Sequence, residues 1–366
     1  MKVKTVYSTR DSVEGAVGDL RVQLRGFDAK VIIFFASSQF DTSIAGKMQQ
    51  AFQDATVFGC TTAGELVSGK MLKGSIVAMA IGSEAVGDVR VAVLEDIRSG
   101  VCVRRAFKTF EEHFKVPVSQ MSPEKYVGLV LIDGMSGMEE EVMSQIGAQT
   151  DLPFVGGSAG DDLHFKETYI YSGGKSYPNA AMLALFRMKC GFDVLKTQSF
   201  KVLDKRMIVT KADEARREVV EFDGRSAATA YAEALGVPVM DASKRFMHNP
   251  VGITIDDDPY VRSPQRFDGQ SMVFYCNILE GTDVSLLEST DIIEDMKTAL
   301  TKAKQTGPIS GIINFHCILR TIELEQKGQT ETYGKLFENI PTIGFSTYGE
   351  QYVSHINQTS TMLLIR

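Results

Sequence analysis

The chain has no tryptophan, and its five cysteines (Cys60, Cys102, Cys190, Cys276, Cys317) stand singly, with no C-x-x-C and no C-x-x-C-H among them. That scatter excludes the usual structural zinc spacings and covalent haem attachment, and it suits reduced thiols in a cytoplasm. Basic residues are outnumbered, 39 Lys and Arg against 46 Asp and Glu, for a net charge of −7. A nucleic-acid partner or an anionic membrane surface is therefore not expected. No window approaches the roughly 18 unbroken apolar residues of a membrane span, and the opening MKVKTVYSTRDSVEG has no apolar core of signal-peptide type. The expectation is a cytoplasmic protein without membrane insertion. Low-complexity linkers are missing as well.

What is present is length enough for two domains, 366 residues, and a patterned arrangement. Three segments share one layout. The first runs from VIIFFASS (Val31 to Ser38) through a helical stretch to TVFGCTTAGE and the strand SIVAMAI. A second runs from YVGLVLIDG (Tyr126 to Gly134) through MEEEVMSQIGAQ to LPFVGGSAGD and NAAMLALF. The third runs from ISGIINFHC (Ile309 to Cys317) to IPTIGFSTYGE and TSTMLLI. Short Val/Ile-rich runs without alternation are strands covered on both faces. Strand, helix, strand, turn and strand in succession imply an α/β fold of mixed sheets covered by helices. Between the second and third segments, DGRSAATAYAEALGV reads as a helix with Gly236 as its C-cap, IDDDPYVRSPQRFDGQ as loop or edge hairpin, and STDIIEDMKTALTKAKQTG as a helix capped by Ser289 or Thr290. The domains are placed at 1–217 and 218–366.

The turn Gly156-Gly157-Ser158-Ala159-Gly160 fits G-x-S-x-G, the strained bend on which some hydrolases display a nucleophilic serine. That bend needs a strand before the serine and a helix after it. LPFV supplies the strand, but DDLHFK leads into the β-rich ETYIYSGG, so a serine hydrolase through Ser158, with a later acid and His355, is only an alternative. The turns at Gly64, Gly160 and Gly349 each follow small hydroxyl residues and precede an acid. Together they give a candidate ligand-lining set: Thr61, Thr62, Gly64, Glu65, Gly157, Ser158, Gly160, Asp161, Tyr348, Gly349 and Glu350.

Other constellations are sparser. Neighbours on a strand face opposite ways, so His316 and Cys317 make a poor thiol–imidazole pair. Cys317 and Arg320 lie just past a strand end, where α/β sheets open to ligands, and an arginine fork there suits a carboxylate or a haem propionate. Lys201, Lys205 and Arg206 read as a solvated face. Asp256-Asp257-Asp258 lacks calcium-loop spacing and reads as a turn. Among the histidines, His355 stands out beside Asn357, directly after the third turn, and His164 follows the second.

FGCTTAGE, EFDGRSAATAYAEALG, NFHCILR and IGFSTYGEQYVSHINQT, in that order, resemble FIST-domain proteins, prokaryotic sensory modules with an N-terminal and a C-terminal part. A stand-alone chain of this size is most similar to the NosP-type members, which sense nitric oxide through haem and act on a partner histidine kinase. The resemblance implies a non-enzymatic sensor, with His355 as axial metal ligand and His164 or Tyr348 as alternates. It also implies Cys317, Arg320 and Asn357 as further binding residues and leaves a homo-oligomer open. A haem-free sensor of small molecules such as amino acids, clamped by Arg320, is the other expectation.

Overall fold

A computed structural model describes residues 2–256 and 258–366, so Asp257 of the acidic run lies outside the described residues. The chain is a mixed α/β protein that packs as two compact units built from non-contiguous segments. The larger takes the residues up to Lys196, Met296–Ser354 and Ser360–Arg366; the smaller takes Thr197–Asp295 and His355–Thr359.

Three mixed sheets form the larger unit, and each is organised around one parallel strand pair. These pairs are Ala29–Ser37 with Thr56–Thr62, Tyr126–Ile132 with Phe154–Ser158, and Gly311–Cys317 with Thr342–Thr347. In each sheet an antiparallel strand flanks the first member: Ile76–Gly82, Ala180–Met188 and Thr359–Ile365 respectively. The second member is flanked by a strand from a remote part of the chain: Ile170–Ser172, Glu350–Tyr352 and Glu65–Val67. The last two of these begin at the acid that succeeds a glycine turn.

Alternation along the strands sends side chains to two different layers. Ile33, Phe35 and Phe58 meet Leu129, Leu131, Val155, Ile313, Phe315 and Phe345 in one central core. Phe35 and Phe345 rings lie 4.6 Å apart, and Phe315 meets Phe345 edge-on. Burying each such ring contributes about 2–3 kcal/mol. Outer faces are covered by helices. Val103, Ala106, Phe107, Phe110 and Phe114 recur at helical spacing on Val103–Phe114 and pack on Val130, Ile132 and Phe154.

In the smaller unit, Ala227–Leu235 lays Ala227, Ala230 and Tyr231 against Val209, Val219, Phe222 and Met272 of its sheet. Gly236 caps this helix with a left-handed φ of 70°, as the sequence implies. The acidic, Pro-containing stretch supplies two terminal strands of that sheet, Asp258–Arg262 and Pro264–Asp268. The helix Ile292–Gln305 is capped differently from expectation. Asp291 Oδ1 accepts the Ile293 and Glu294 amides at 2.8 and 3.1 Å, while Thr290 donates to Asp295 at 2.5 Å. A carboxylate one residue nearer the helix outcompetes the two hydroxyls for its first free amides.

Candidate functional site

The three glycine turns meet in the larger unit. Ala63 N donates to Ser346 O at 3.2 Å and Ser346 N returns to Gly64 O at 2.8 Å. Gly160 N donates to Thr61 O at 3.1 Å, Ser158 N to Gly349 O at 2.8 Å, and Tyr348 N to Ser158 O at 3.2 Å. Each turn is thus bonded through main chain to the other two, and Thr61, Thr62, Gly64, Glu65, Gly157, Ser158, Gly160, Gly349 and Glu350 are all buried. A Cβ at Gly157 would stand 2.5 Å from Thr347 Cγ2, so the missing side chain admits the neighbouring turn.

Inside this junction the polar groups largely satisfy one another. Thr62 Oγ1 donates to Glu65, whose other oxygen accepts Ser75 N at 3.0 Å and Ser75 Oγ at 2.6 Å. Burial outweighs those bonds and pushes the Glu65 carboxyl up to about 7. Thr347 Oγ1 donates likewise to Glu350. Ser158 Oγ donates to Glu139 at 3.2 Å and accepts from Gln351 Nε2 at 3.0 Å. That hydroxyl is therefore held by a carboxylate and an amide, not by an imidazole.

Asp161 does something else. Its Oδ1 accepts the Phe165 amide at 2.9 Å and the Tyr348 hydroxyl, and its Oδ2 accepts the Lys166 and Glu167 amides at 2.6 and 3.2 Å. Burial first, and then the bond to Asp161, raise the Tyr348 phenol above its ordinary value. Beside this clamp lies a cleft of about 450 Å³. Of the residues singled out in the sequence, Thr61, Asp161 and His164 line it. Asp41, Lys166 and Glu167 line it too, and sequence reasoning missed them because single charged loop residues carry no motif. The lining thus carries acidic residues, Asp41, Asp161 and Glu167, together with the basic residues His164 and Lys166. Glu167 accepts the Tyr169 hydroxyl at 2.7 Å.

The remaining candidates lie elsewhere. Arg320 is buried in the first turn of the Ile318–Gln326 helix and does not line this cleft. His316 Nδ1 meets Tyr333 Oη at 3.1 Å, and burial followed by the Arg320 charge pushes the imidazole well below its usual range. His316 thus occupies a core site, and Cys317 next to it is buried. His355 and Asn357 belong to the smaller unit, where His355 Nε2 lies 3.4 Å from the Tyr275 carbonyl and Asn357 Oδ1 faces Ser263 N at 3.5 Å. Lys201 and Arg206 pair with Glu288 and Asp283 on the surface, as a solvated face should. Among the described residues no group of three or more His, Cys, Asp or Glu side chains is arranged to hold a metal ion.

Comparison with known proteins bears on what this arrangement serves. The model of the FIST N domain matches residues 30–225, more than half of the chain, and that of the FIST C domain matches 227–353. The chain belongs to the FIST family. FIST domains are signal-transduction sensor domains that bind small ligands. This FIST protein is also 25% identical over 208 residues to an uncharacterized protein of Methanocaldococcus jannaschii, a match covering 52% of this chain and 40% of that relative. The chain thus spans less than half the length of that relative. No helix among the described residues is long and apolar enough to cross a membrane.

Proposed function

We propose that this FIST protein senses a small zwitterionic metabolite, an amino acid or close analogue, in the cleft between Asp41 and the 161–167 segment. The observation that carries this reading is a lining that combines side chains of both charge types in one cleft: Asp41 and Glu167 suit an ammonium group, and Lys166 with His164 suits a carboxylate. It moves the carboxylate clamp from Arg320 to Lys166, because Lys166 reaches the cleft. The protein is read as a cytoplasmic, non-enzymatic module, with 1–217 and 218–366 as its functional halves and three related strand–helix–strand–turn units as its origin. A thermal-shift screen against the proteinogenic amino acids is the test. One or a few should raise the melting temperature by about 2–5 °C at saturating concentration. Lys166→Ala should abolish the shift; a flat response across the panel sinks this reading.

A second, finer reading is haem-dependent nitric oxide sensing that regulates a partner histidine kinase, with His355 as the axial donor. Its support is that His355 is buried with Nε2 against the Tyr275 carbonyl, the kind of contact that orients metal-binding imidazoles. Haem, when bound, would supply the iron that takes nitric oxide. Haem-reconstituted protein should then show a Soret band that His355→Ala removes. A band unchanged in that variant would exclude His355 as the donor.

A further inference from the structure

The segment that walls the cleft holds three non-glycine residues in left-handed backbone: Asp162 at φ 54°, Leu163 at 65° and Phe165 at 51°. Asparagine and aspartate tolerate that region, whereas leucine and phenylalanine meet their own carbonyls there. Such residues persist only where their surroundings over-determine them. Apolar burial is a weak restraint here, since Leu163 is 41% exposed and Phe165 53% exposed. Polar bonds hold the segment instead. Asp161 gathers the Phe165, Lys166 and Glu167 amides, Tyr348 Oη accepts Leu163 N at 2.8 Å while donating to Asp161, and Ser37 and Ser38 hydroxyls reach Asp162 Oδ2 at 2.9 and 2.8 Å. The Tyr348 ring also stacks on Phe165, with centroids 5.1 Å apart.

We infer that residues 161–167 form a sprung wall with two positions, clamped by Asp161 and Tyr348 in this structure and relaxed when the clamp is released. Asp161 is thereby a positioning residue. Its carboxylate already receives four donors, so its contribution to the cleft is to hold His164, Lys166 and Glu167 in place. Tyr348 stands in the third turn, and the wall is therefore tied directly to the junction of the turns. A ligand that touches Lys166 and Asp41 favours whichever wall position it contacts better, and only by that difference in affinity. This last step rests on the zwitterion reading, whereas the clamp itself does not.

Hydrogen exchange on the full-length, ligand-free chain tests the wall. Asp161→Asn should speed exchange of the Phe165, Lys166 and Glu167 amides about tenfold or more, with the parallel strands unchanged. Tyr348→Phe should give a smaller rise in the same amides and serves if Asp161→Asn does not fold. Leu163→Gly, which removes the left-handed penalty, should slow exchange in the otherwise unchanged chain and restore part of the protection lost in Asp161→Asn. Unchanged exchange in both clamp variants overturns the inference, as does a rise spread evenly over all strands. An amino-acid thermal shift with an unresponsive wall would retain the cleft and discard the spring; a responsive wall without any shift would do the reverse.

Discussion

Two kinds of turn come out of one sequence pattern. Thr62-Ala63-Gly64-Glu65 and Thr347-Tyr348-Gly349-Glu350 place a hydroxyl three residues before an acid, and in both the hydroxyl donates to that acid. Ser158-Ala159-Gly160-Asp161 has the same spacing, yet Ser158 turns to Glu139 and Gln351, and Asp161 turns to the amides of the segment after it. The element downstream of the glycine accounts for the difference. After Gly64 and Gly349 the chain enters strands, Glu65–Val67 and Glu350–Tyr352, which carry their acids into a buried layer. After Gly160 it enters a loop, and aspartate, one methylene shorter than glutamate, stays close enough to the main chain to collect its amides. Spacing preserves the bend; the downstream element decides whether the acid braces the junction or shapes a cleft wall.

The largest effect expected from breaking this comparison is at the parallel pair behind the second turn. A Cβ at Gly156 would sit 1.7 Å from the Val130 carbonyl oxygen, a main-chain atom that cannot move alone. Gly156→Ala should cost about 4 kcal/mol or more in urea unfolding, or leave the protein insoluble. Gly147 is its counterpart on the exposed side of the Glu139–Gln149 helix, where an added Cβ meets nothing within 4 Å. Gly147→Ala should instead stabilise by up to about 1 kcal/mol. Equal behaviour of the two variants would remove close packing as the reason for the glycine.

Next in size is the pH response of the first turn. Glu65 has its carboxyl raised from 4.5 to about 7 in the folded protein, so between those values the folded state holds a proton that the unfolded chain has lost. Stability from this group is fully present below the unfolded value and is lost as pH rises through about 7. Its full size is about 3 kcal/mol, since a tenfold difference in proton affinity between the two states is worth roughly 1.4 kcal/mol. Glu65→Gln should flatten that part of the profile. Urea midpoints at pH 5.5 and pH 8 that change alike in wild type and variant would show that Glu65 titrates normally.

How much of this was legible beforehand differs between scaffold and site. Val31–Ser38 and Tyr126–Gly134 could be read as strands covered on both faces because an unbroken β-branched run has few other stable homes. The remote strand in each sheet could not. Nothing local in ELV, residues 65–67, says that it pairs with Thr342–Thr347, because that choice is made by surfaces hundreds of residues apart in sequence. At the cleft, Thr61, Asp161 and His164 were within reach of a motif argument, since they lie in or beside the small-residue turns. Asp41, Lys166 and Glu167 were not, being exposed charges that only the folded chain brings to one cleft. Asp161 was legible as a candidate, but its hydrogen bonding was not, because four converging donors are a property of the folded loop.

The smallest expected effect separates the second turn from the third. Thr347→Val removes a hydroxyl that donates to a buried carboxylate and should cost about 2 kcal/mol in urea unfolding. Ser158→Ala removes a hydroxyl at a longer 3.2 Å from Glu139 and should cost about 1 kcal/mol. The same serine bears on the hydrolase alternative. A nucleophile must be reached by substrate and activated by a base, whereas Ser158 is fully buried and its hydroxyl is engaged by Glu139 and Gln351. A fluorophosphonate probe should therefore leave Ser158 unlabelled in the folded protein. Stoichiometric labelling there would mean that this turn opens to solvent, and it would make the second turn, rather than the first or third, the reactive member of the set.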